Sequence, residues 1–141
     1  MRRRVSFHVP GIPIPQPRPR ASRRGEHIHI HSDSAKSDSW KGVVQYHARQ
    51  AMNGSPYLVG PLELRVRFVF PYLKGTAKRV TRLGTLIPKA TRPDWDNLGK
   101  ALCDALVGVV CADDGLYVKV TVSKYLGPEP GAEVEVEEAK R

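Results

Sequence analysis

Residues 92–106 read RPDWDNLGKALCDAL, and this stretch predicts both a helix and the place where the chemistry concentrates. Pro93 drives the preceding residue towards an extended backbone, so a helix is expected to begin just after it, with Asp94 as the N-cap or the last residue before the N-cap. An apolar stripe at helical spacing follows, and Gly108 is a suitable residue to end the helix. The stripe consists of Leu98, Ala101, Leu102, Ala105 and Leu106. One face of this helix is therefore expected to pack, while the other carries polar side chains.

The polar face combines three carboxylates, an amide and a lysine, namely Asp94, Asp96, Asn97, Lys100 and Asp104. Asp96 and Lys100 are i,i+4 neighbours about 6 Å apart along the axis, so both can reach one site. Asp104 lies roughly 12 Å from Asp96, too far to share a metal ion, and a structural or supporting role is expected for it. Taken alone, acids in a first turn favour simple capping, because they offset the helix dipole.

A second acidic pair, Asp113 and Asp114, opens the alternating segment GLYVKVTVSK, which predicts a strand over residues 115–124. A helix and a strand that both begin with acids, joined by a short connection, can bring carboxylates together. Mg²⁺ binds through one or two carboxylates plus water and substrate phosphate. This second pair shifts the interpretation from capping to a metal site.

The predicted strand leaves open which aspartate of the pair would serve as a ligand. Strict alternation turns one set of residues towards the core, namely Leu116, Val118, Val120 and Val122. Asp114 has the same parity as this set, whereas Asp113 would share the polar face with Tyr117 and Lys119. Periodicity thus favours Asp113, unless Gly115 breaks the register through a bulge or a turn.

Basic residues surround this acidic region in a chain of 141 residues with a net charge of +9. Residues 1–24 and 71–93 contain no acid at all. The candidates for contact with a polyanion are Arg18, Arg20, Arg23, Arg24, Lys78, Arg79, Arg82, Lys89 and Arg92. Lysine and arginine release counterions from a phosphate backbone, so nucleic acid is the expected partner. A merely solvated basic surface is the alternative.

The remaining pattern predicts a single α+β domain over residues 1–141, with a mixed β-sheet packed by two main helices. Strands are expected at 5–10, 27–31 and 61–70, and a helix at 34–52 that stops at Asn53-Gly54. Along the third strand, Glu63, Arg65, Arg67 and Val69 should face away from the core. A basic, proline- and arginine-rich arm is expected over about 10–25, and a long basic loop over about 71–92. On the helix at 34–52, one stripe should hold Trp40, Val43, Val44, His47 and Ala48.

Several classes of protein are disfavoured by the composition. No apolar run is long enough to span a membrane, and the first residues lack the apolar segment of a secretory signal. Cys103 and Cys111 form neither a disulfide framework nor a CxxC pair, which suits a reducing cytoplasm. The chain has no GxxxxGK loop, so a nucleotide cofactor is not expected. Three histidines alternate on one predicted strand face and are interpreted as facing solvent or phosphate rather than a metal: His27, His29 and His31.

The ordered set R-P-D-W-D-N-L-G-K-A-L-C-D-A-L, then D-D, then Lys124, resembles the RusA family of Holliday junction resolvases. The resemblance is strong over residues 92–124 and weaker at PGIPIPQPRPR. It implies a RusA-like fold and a homodimeric, Mg²⁺-dependent endonuclease, with Mn²⁺ as an alternative ion, that cuts four-way DNA junctions in recombination and repair. The family is often carried by phages.

Carried over residue by residue, the resemblance implies that Asp94, Asp96 and Asp114 bind the metal and that Lys100 is the essential lysine, with Asp113 as the substitute ligand. Asn97, Asp104 and Lys124 match recurrent positions with supporting roles. The chain departs from its similar relatives at Val107, where Asn is common, and at Leu116, where Gln is common. Two other functions stay open: a non-catalytic module that binds junction or duplex DNA, and a transferase that uses the DxD motif.

Overall fold

The computed structural model describes residues 2–17, 20–24, 27–31 and 35–140, with side chains described for 2–17 and 35–140. Its strands and helices are β1 (Arg4–Pro10), β2 (Arg20–Arg24), β3 (His27–His31), α1 (Ala35–Met52), β4 (Leu62–Pro71), α2 (Lys78–Leu83), β5 (Ile87–Pro88), α3 (Trp95–Leu106), a 3₁₀ turn (Asp114–Leu116), β6 (Tyr117–Gly127) and β7 (Gly131–Glu138). The predicted α+β class, with a mixed sheet and two main helices, is confirmed.

Five strands form the main sheet in the order β1-β7-β4-β6-β5, and β2 pairs with β3 in a separate hairpin. β4 and β6 run parallel, whereas the β1–β7, β4–β7 and β5–β6 pairs are antiparallel. The alternation predicted for β4 holds for its core-facing side, because Leu62, Leu64, Val66, Phe68 and Phe70 are all buried. α3 connects β5 to β6 and lies against the core-facing side of the sheet.

Two helices cover that face. α1 buries Trp40, whose ring lies 6.3 Å from that of Phe68 on β4. On α3 the whole predicted stripe is fully buried, and Gly99 lies over Val122 of β6. Asn53 (φ 47°) and Gly54 (φ 77°) end α1 as predicted, because both adopt the left-handed conformation. Gly108, just after α3, also adopts the left-handed conformation, with a φ of 84°.

The other face of the sheet carries charges that neutralise one another. Arg65 of β4 donates hydrogen bonds to Glu135 and Glu137 of β7, and these carboxylates raise the pKa of its guanidinium, with Glu135 contributing most. Arg2 and Arg4 form further ion pairs with Glu137 and Glu135. The acidic segment near the end of the chain is therefore a sheet strand whose acids compensate the arginines beside it.

Some local predictions were wrong. Residues 71–91 are not a plain loop, since they form α2 and β5. Val69 is buried although its parity predicted the outer face, because the chain around Gly127 packs against it. Val43 is 40% exposed, since the buried stripe of α1 runs through Trp40, Val44 and Ala48 instead.

β6 departs most from strict alternation. The register between β4 and β6 shifts after Leu62, which pairs with Tyr117, while Glu63 pairs with Lys119. This irregularity turns Tyr117 inward, where it packs against the core, rather than onto the polar face predicted for it. Val118 and Val120 were predicted to be buried but are 65% and 43% exposed, because α3 covers the sheet near Val122 and not beyond.

In the described ranges, the helices are all too short or too polar to cross a bilayer.

Candidate active site

Asp94 is the N-cap of α3, with an extended backbone (φ −70°, ψ 143°) and a carbonyl that accepts a hydrogen bond from Leu98 N–H at 3.2 Å. Asp94, Trp95 and Asp96 are all exposed. Two carboxylates therefore reach solvent at the positive end of the helix dipole, where negative charge is stabilised. The indole of Trp95, which lies between them, is 60% exposed. A large exposed aromatic side chain inside an acidic motif was visible in the sequence but was not included among the predicted site residues.

The segment that leads into α3 is held in place by two lysines. The Lys124 ammonium donates to the carbonyls of Thr91 and Pro93, both at 2.8 Å. The Lys89 N–H donates to the Lys124 carbonyl at 3.0 Å, and the Lys89 ammonium donates to Thr91 Oγ1 at 2.9 Å. That ammonium also lies 5.2 Å from the centre of the Phe70 ring. These contacts fix the backbone immediately before Asp94, which gives Lys124 a definite structural task beside the candidate site.

The proline-rich stretch is anchored to the same end of α3. The backbone N–H of Gln16 donates to the carbonyl of Asn97 at 3.0 Å. Pro13 is fully buried, and Ile14 packs against the core. Gln16, which lies within the predicted arm, is therefore held beside the first turn of α3. Arg18 lies outside the described residues, as do the side chains of Arg20, Arg23, Arg24, His27, His29 and His31.

Lys100 follows Asp96 by one helical turn, and its side chain is 62% exposed. Its ammonium lies 3.8 Å from one oxygen of Asp104, and Lys41 of α1 lies 3.7 Å from the other oxygen. Asp104 thus links α3 to α1 through ion pairs, and sequence reasoning had not identified Lys41 as its partner. Partly exposed pairs of this kind contribute at most about 1 kcal/mol each, so Lys100 can readily turn towards a substrate.

Asp113 and Asp114 lie near the opposite end of α3. The connection after the helix is held by a bridge between Val107 and Cys111 and by a hydrogen bond from Gly108 N–H to the Cys111 carbonyl at 2.8 Å. Both aspartates are exposed, and Asp114 begins the 3₁₀ turn, so a turn does interrupt the register at Gly115. The alternation of side chains along β6 therefore no longer indicates which of the two, Asp113 or Asp114, would be the ligand.

The 3₁₀ turn that begins with Asp114 contacts α3. Burial raises the pKa of the Cys103 thiol to about 12, and the negative charge of Asp114 is the next largest cause. Burial likewise raises the pKa of Cys111, and it raises that of Tyr117 far above its ordinary value. The Tyr117 hydroxyl lies 3.6 Å from Cys111 Sγ. This corner is apolar, and its thiols are protonated at neutral pH.

The carboxylates of a single chain therefore form two separate groups. From Asp94 to Cys103, α3 rises about 13 Å. Within residues 2–17 and 35–140, no three side chains of the His, Cys, Asp or Glu type lie close enough together to hold a metal ion. Asp96 and Lys100 lie one turn apart on one face of α3 and Asp94 caps the same end of the helix, whereas Asp114 approaches the helix from the other end.

The predicted DNA contacts of the second basic segment are arranged around α2. Lys78, Arg79 and Arg82 are all exposed on this helix, and Arg92 is exposed just before Asp94. Lys89 is half-buried and already contacts Phe70 and Thr91. α2 and Arg92 therefore offer cations to a polyanion, while Lys89 supports the backbone between them.

A small α+β domain with exposed acids at a helix N-terminus, a lysine one turn on and exposed cations on α2 defines a candidate phosphodiester-cleaving protein. The chain matches the family model described as endodeoxyribonuclease RusA over residues 10–137 and belongs to that family. Membership implies an endonuclease that acts on branched DNA junctions. The chain is also similar to the uncharacterized protein YqaN of Bacillus subtilis (strain 168), with 36% identity over 113 residues, which cover 75% of this chain and 77% of the relative.

Proposed function

We propose that this protein is a Mg²⁺-dependent endonuclease that resolves four-way DNA junctions as a homodimer, in recombination and repair. The observation that carries this proposal is the exposed Asp94–Asp96 pair at the N-terminus of α3, one turn before Lys100. Family membership supplies the reaction class, and the basic segments supply the means of binding DNA. Its two free cysteines suit a reducing compartment, and we place the protein in the cytoplasm.

The donor chemistry of this pair fits a hard divalent cation. Mg²⁺ commonly uses one or two carboxylates together with water and substrate phosphate, and two exposed aspartates next to a phosphate-binding surface meet that requirement. Asp94 and Asp96 would hold the ion, with Asp114 or Asp113 as a further ligand. When bound, the metal lowers the pKa of a water molecule and acts as a Lewis acid on a phosphate oxygen. Mn²⁺ has the same preference for oxygen ligands and is expected to substitute.

The remaining residues act on the substrate directly. Lys100 would orient the scissile phosphate and stabilise the negative charge that develops on it, once its ammonium turns away from Asp104. α2 and the arginine-rich segment would bind the branches of the DNA through their phosphates. Such contacts recognise the shape of the DNA rather than its base sequence. A twofold-symmetric dimer would present two identical sites to the two strands that must be cut.

The decisive experiment incubates four-way junction, fork and duplex DNA with Mg²⁺ and compares the wild type with Asp96→Asn. We expect the wild type to cut the junction, and Asp96→Asn to bind it in Ca²⁺ or EDTA without cutting. Asp38→Asn is the matched control, because Asp38 is likewise an exposed acid in the first turn of a helix. Normal cleavage by Asp96→Asn would refute the proposed site, and absence of cleavage of every substrate by the wild type would refute the function.

One observation favours a second candidate, a DNA-binding module without catalysis. The carboxylates within one chain do not form a group of three in the part of the structure that is described. Such a module would bind junction or duplex DNA without nicking it, and Mg²⁺ would not raise its unfolding temperature. A nicking assay and a thermal melt with and without Mg²⁺ distinguish the two functions.

A further inference from the structure

Trp95 is the first residue of α3 and stands directly between Asp94 and Asp96. Its position continues the apolar stripe of the helix, since Leu98 and Leu102 follow at i+3 and i+7 and are fully buried. Its own side chain is nevertheless mostly exposed. A helical side chain leans towards the N-terminus, and at the first position there is no preceding turn for it to cover. The indole therefore extends past the end of α3 at which the two carboxylates stand.

The other exposed aromatic side chains differ from Trp95 in their contacts. Within residues 2–17 and 35–140, these are Tyr46 and Tyr57. The Tyr57 hydroxyl donates to the carbonyl of Gly108 at 3.2 Å, and the Tyr46 ring packs edge-on against His47 with the ring centres 5.1 Å apart. With the other residues in these ranges, Trp95 forms no hydrogen bond, aromatic pair or cation contact. A broad aromatic face thus remains open to a ligand.

The charges around Trp95 point to DNA as the source of that ligand. Arg92 is exposed three residues before it, and the cations of α2 are exposed as well. Such cations attract a phosphate backbone, and aromatic side chains next to a cationic surface stack on nucleobases. Stacking of this kind is tolerant of sequence, because every base has an aromatic face.

The position of the indole favours a base at a branch point over a base in continuous duplex. Inside a duplex each base is covered by its neighbours, and exposing it costs free energy. That cost is smallest where pairing or stacking is already interrupted, as it is where the strands of a junction exchange. An aromatic ring between the two candidate metal ligands would meet such a base beside the phosphate to be cut.

We propose that Trp95 stacks on a nucleobase that is unstacked at the branch point, and that this contact makes the protein prefer branched DNA to continuous duplex. This inference deepens the proposed function and rests on it for the position of the scissile phosphate. Trp95 is then a specificity-determining residue. Its contact differs in kind from those of α2, which engage phosphates that every duplex presents.

The contact is tested first by fluorescence, because the chain has only two tryptophans and Trp40 is buried. Four-way junction, fork and continuous duplex of equal length are titrated in Ca²⁺ into the wild type and Trp95→Phe. We expect the junction and the fork to quench the tryptophan emission of the wild type, the duplex to quench it much less, and Trp95→Phe to bind the junction without the quench. Equal quenching by the duplex, or a quench that persists in Trp95→Phe, would overturn the contact.

The effect on selectivity is tested by fluorescence anisotropy of labelled junction and duplex in Ca²⁺. Trp95→Leu keeps an apolar side chain at the end of the stripe but removes the aromatic face. We expect its affinity for the junction to fall by about 5- to 100-fold, with duplex affinity unchanged, and Trp95→Phe to keep most of the affinity. Tyr46→Leu is the matched control, since Tyr46 is equally exposed, at 59%, but lies on α1.

Three results of the anisotropy measurement would refute the inference. They are an unchanged preference for the junction in Trp95→Leu, an equal loss of junction and duplex affinity, and a Trp95→Phe variant as weak as Trp95→Leu. A fourth comes from the protein without DNA: an emission that shifts to shorter wavelength with rising protein concentration, and that DNA then leaves unchanged, would mean that a second copy covers the indole.

Failure of this inference and failure of the proposed function give different results, because both measurements are made in Ca²⁺ and need no cleavage. A wild type that shows the junction-specific quench but cuts no DNA with Mg²⁺ would refute the nuclease and leave the stacking contact standing. A wild type that cuts junctions, together with a Trp95→Leu variant of unchanged selectivity, would support the nuclease and refute the role of Trp95.

Discussion

At the scale of single residues, similar side chains have different tasks because their surroundings differ. Asp96 is exposed at a helix N-terminus, whereas Asp104, two turns further, is placed between Lys41 and Lys100. Lys124 donates to two backbone carbonyls, while Lys100 is mostly exposed. The acids and lysines of this region therefore differ in environment: Asp104 and Lys124 contact groups of the protein itself, whereas Asp96 and Lys100 are exposed to solvent.

Cys103 gives a prediction about pH. Because its pKa rises from 9.0 to about 12 on folding, the stabilisation is fully present below pH 9.0 and is lost as the pH rises towards about 12. By about pH 10 the loss should be on the order of 1 kcal/mol. Urea unfolding of the wild type and Cys103→Ala across this range should show a shallower decline of the unfolding free energy for the variant. Equal slopes would mean that the folded thiol ionises normally.

At the scale of secondary structure, the bounds of α3 could be predicted because its signals are local, although the Asp94 side chain forms no capping hydrogen bond. The proline, the N-cap, the apolar stripe and the final glycine all lie within residues 93–108, and the structure follows each of them. β7 was not predicted, although AEVEVE alternates regularly. Its pairing is a long-range one, because Arg65, the partner of Glu135, lies on β4, far away in the sequence. The inward turn of Tyr117 likewise depends on a register shift between two distant strands.

The candidate site shows the same division between local and long-range information. Helical spacing was enough to place Asp96 and Lys100 one turn apart on one side of α3. It was not enough to place Asp114, because the path from α3 to β6 depends on the bridge between Val107 and Cys111 and on the 3₁₀ turn. Neither contact has a recognisable pattern in the sequence.

The hydrogen bonds of Lys124 predict that this residue positions the segment before Asp94. Lys124→Met keeps the length of the side chain but removes both hydrogen bonds to the segment before Asp94. We expect cleavage to fall by about 10- to 100-fold and the Mg²⁺ concentration for half-maximal activity to rise, as when supporting partners of metal ligands are lost. Lys124→Arg should recover part of the activity, and Lys36→Met on α1 serves as the matched control. A lower unfolding temperature with an unchanged Mg²⁺ requirement would reduce Lys124 to a stabilising residue.

At the scale of the whole molecule, two sets of arginines and lysines have different environments. Arg2, Arg4 and Arg65 form ion pairs with the glutamates of β7 on the outer face of the sheet. The cations of α2 are exposed, and that helix has no acid in its first turn. Among the residues whose side chains are described, the cations of the outer sheet face are therefore paired with acids, whereas those of α2 are exposed.

This distribution predicts how DNA binding responds to salt. Replacing Lys78, Arg79 and Arg82 together by Gln should lower the slope of log K against log salt by up to about 2.7, if all three neutralise phosphates at about 0.9 each. Replacing Arg2, Arg4 and Arg65 by Gln removes the same charge but should leave the slope unchanged, because those arginines already face carboxylates. Junction binding in Ca²⁺, measured by fluorescence anisotropy at several salt concentrations, compares the two variants directly. Equal slopes for the two variants would show that DNA binding depends on the net charge of the protein rather than on the position of α2.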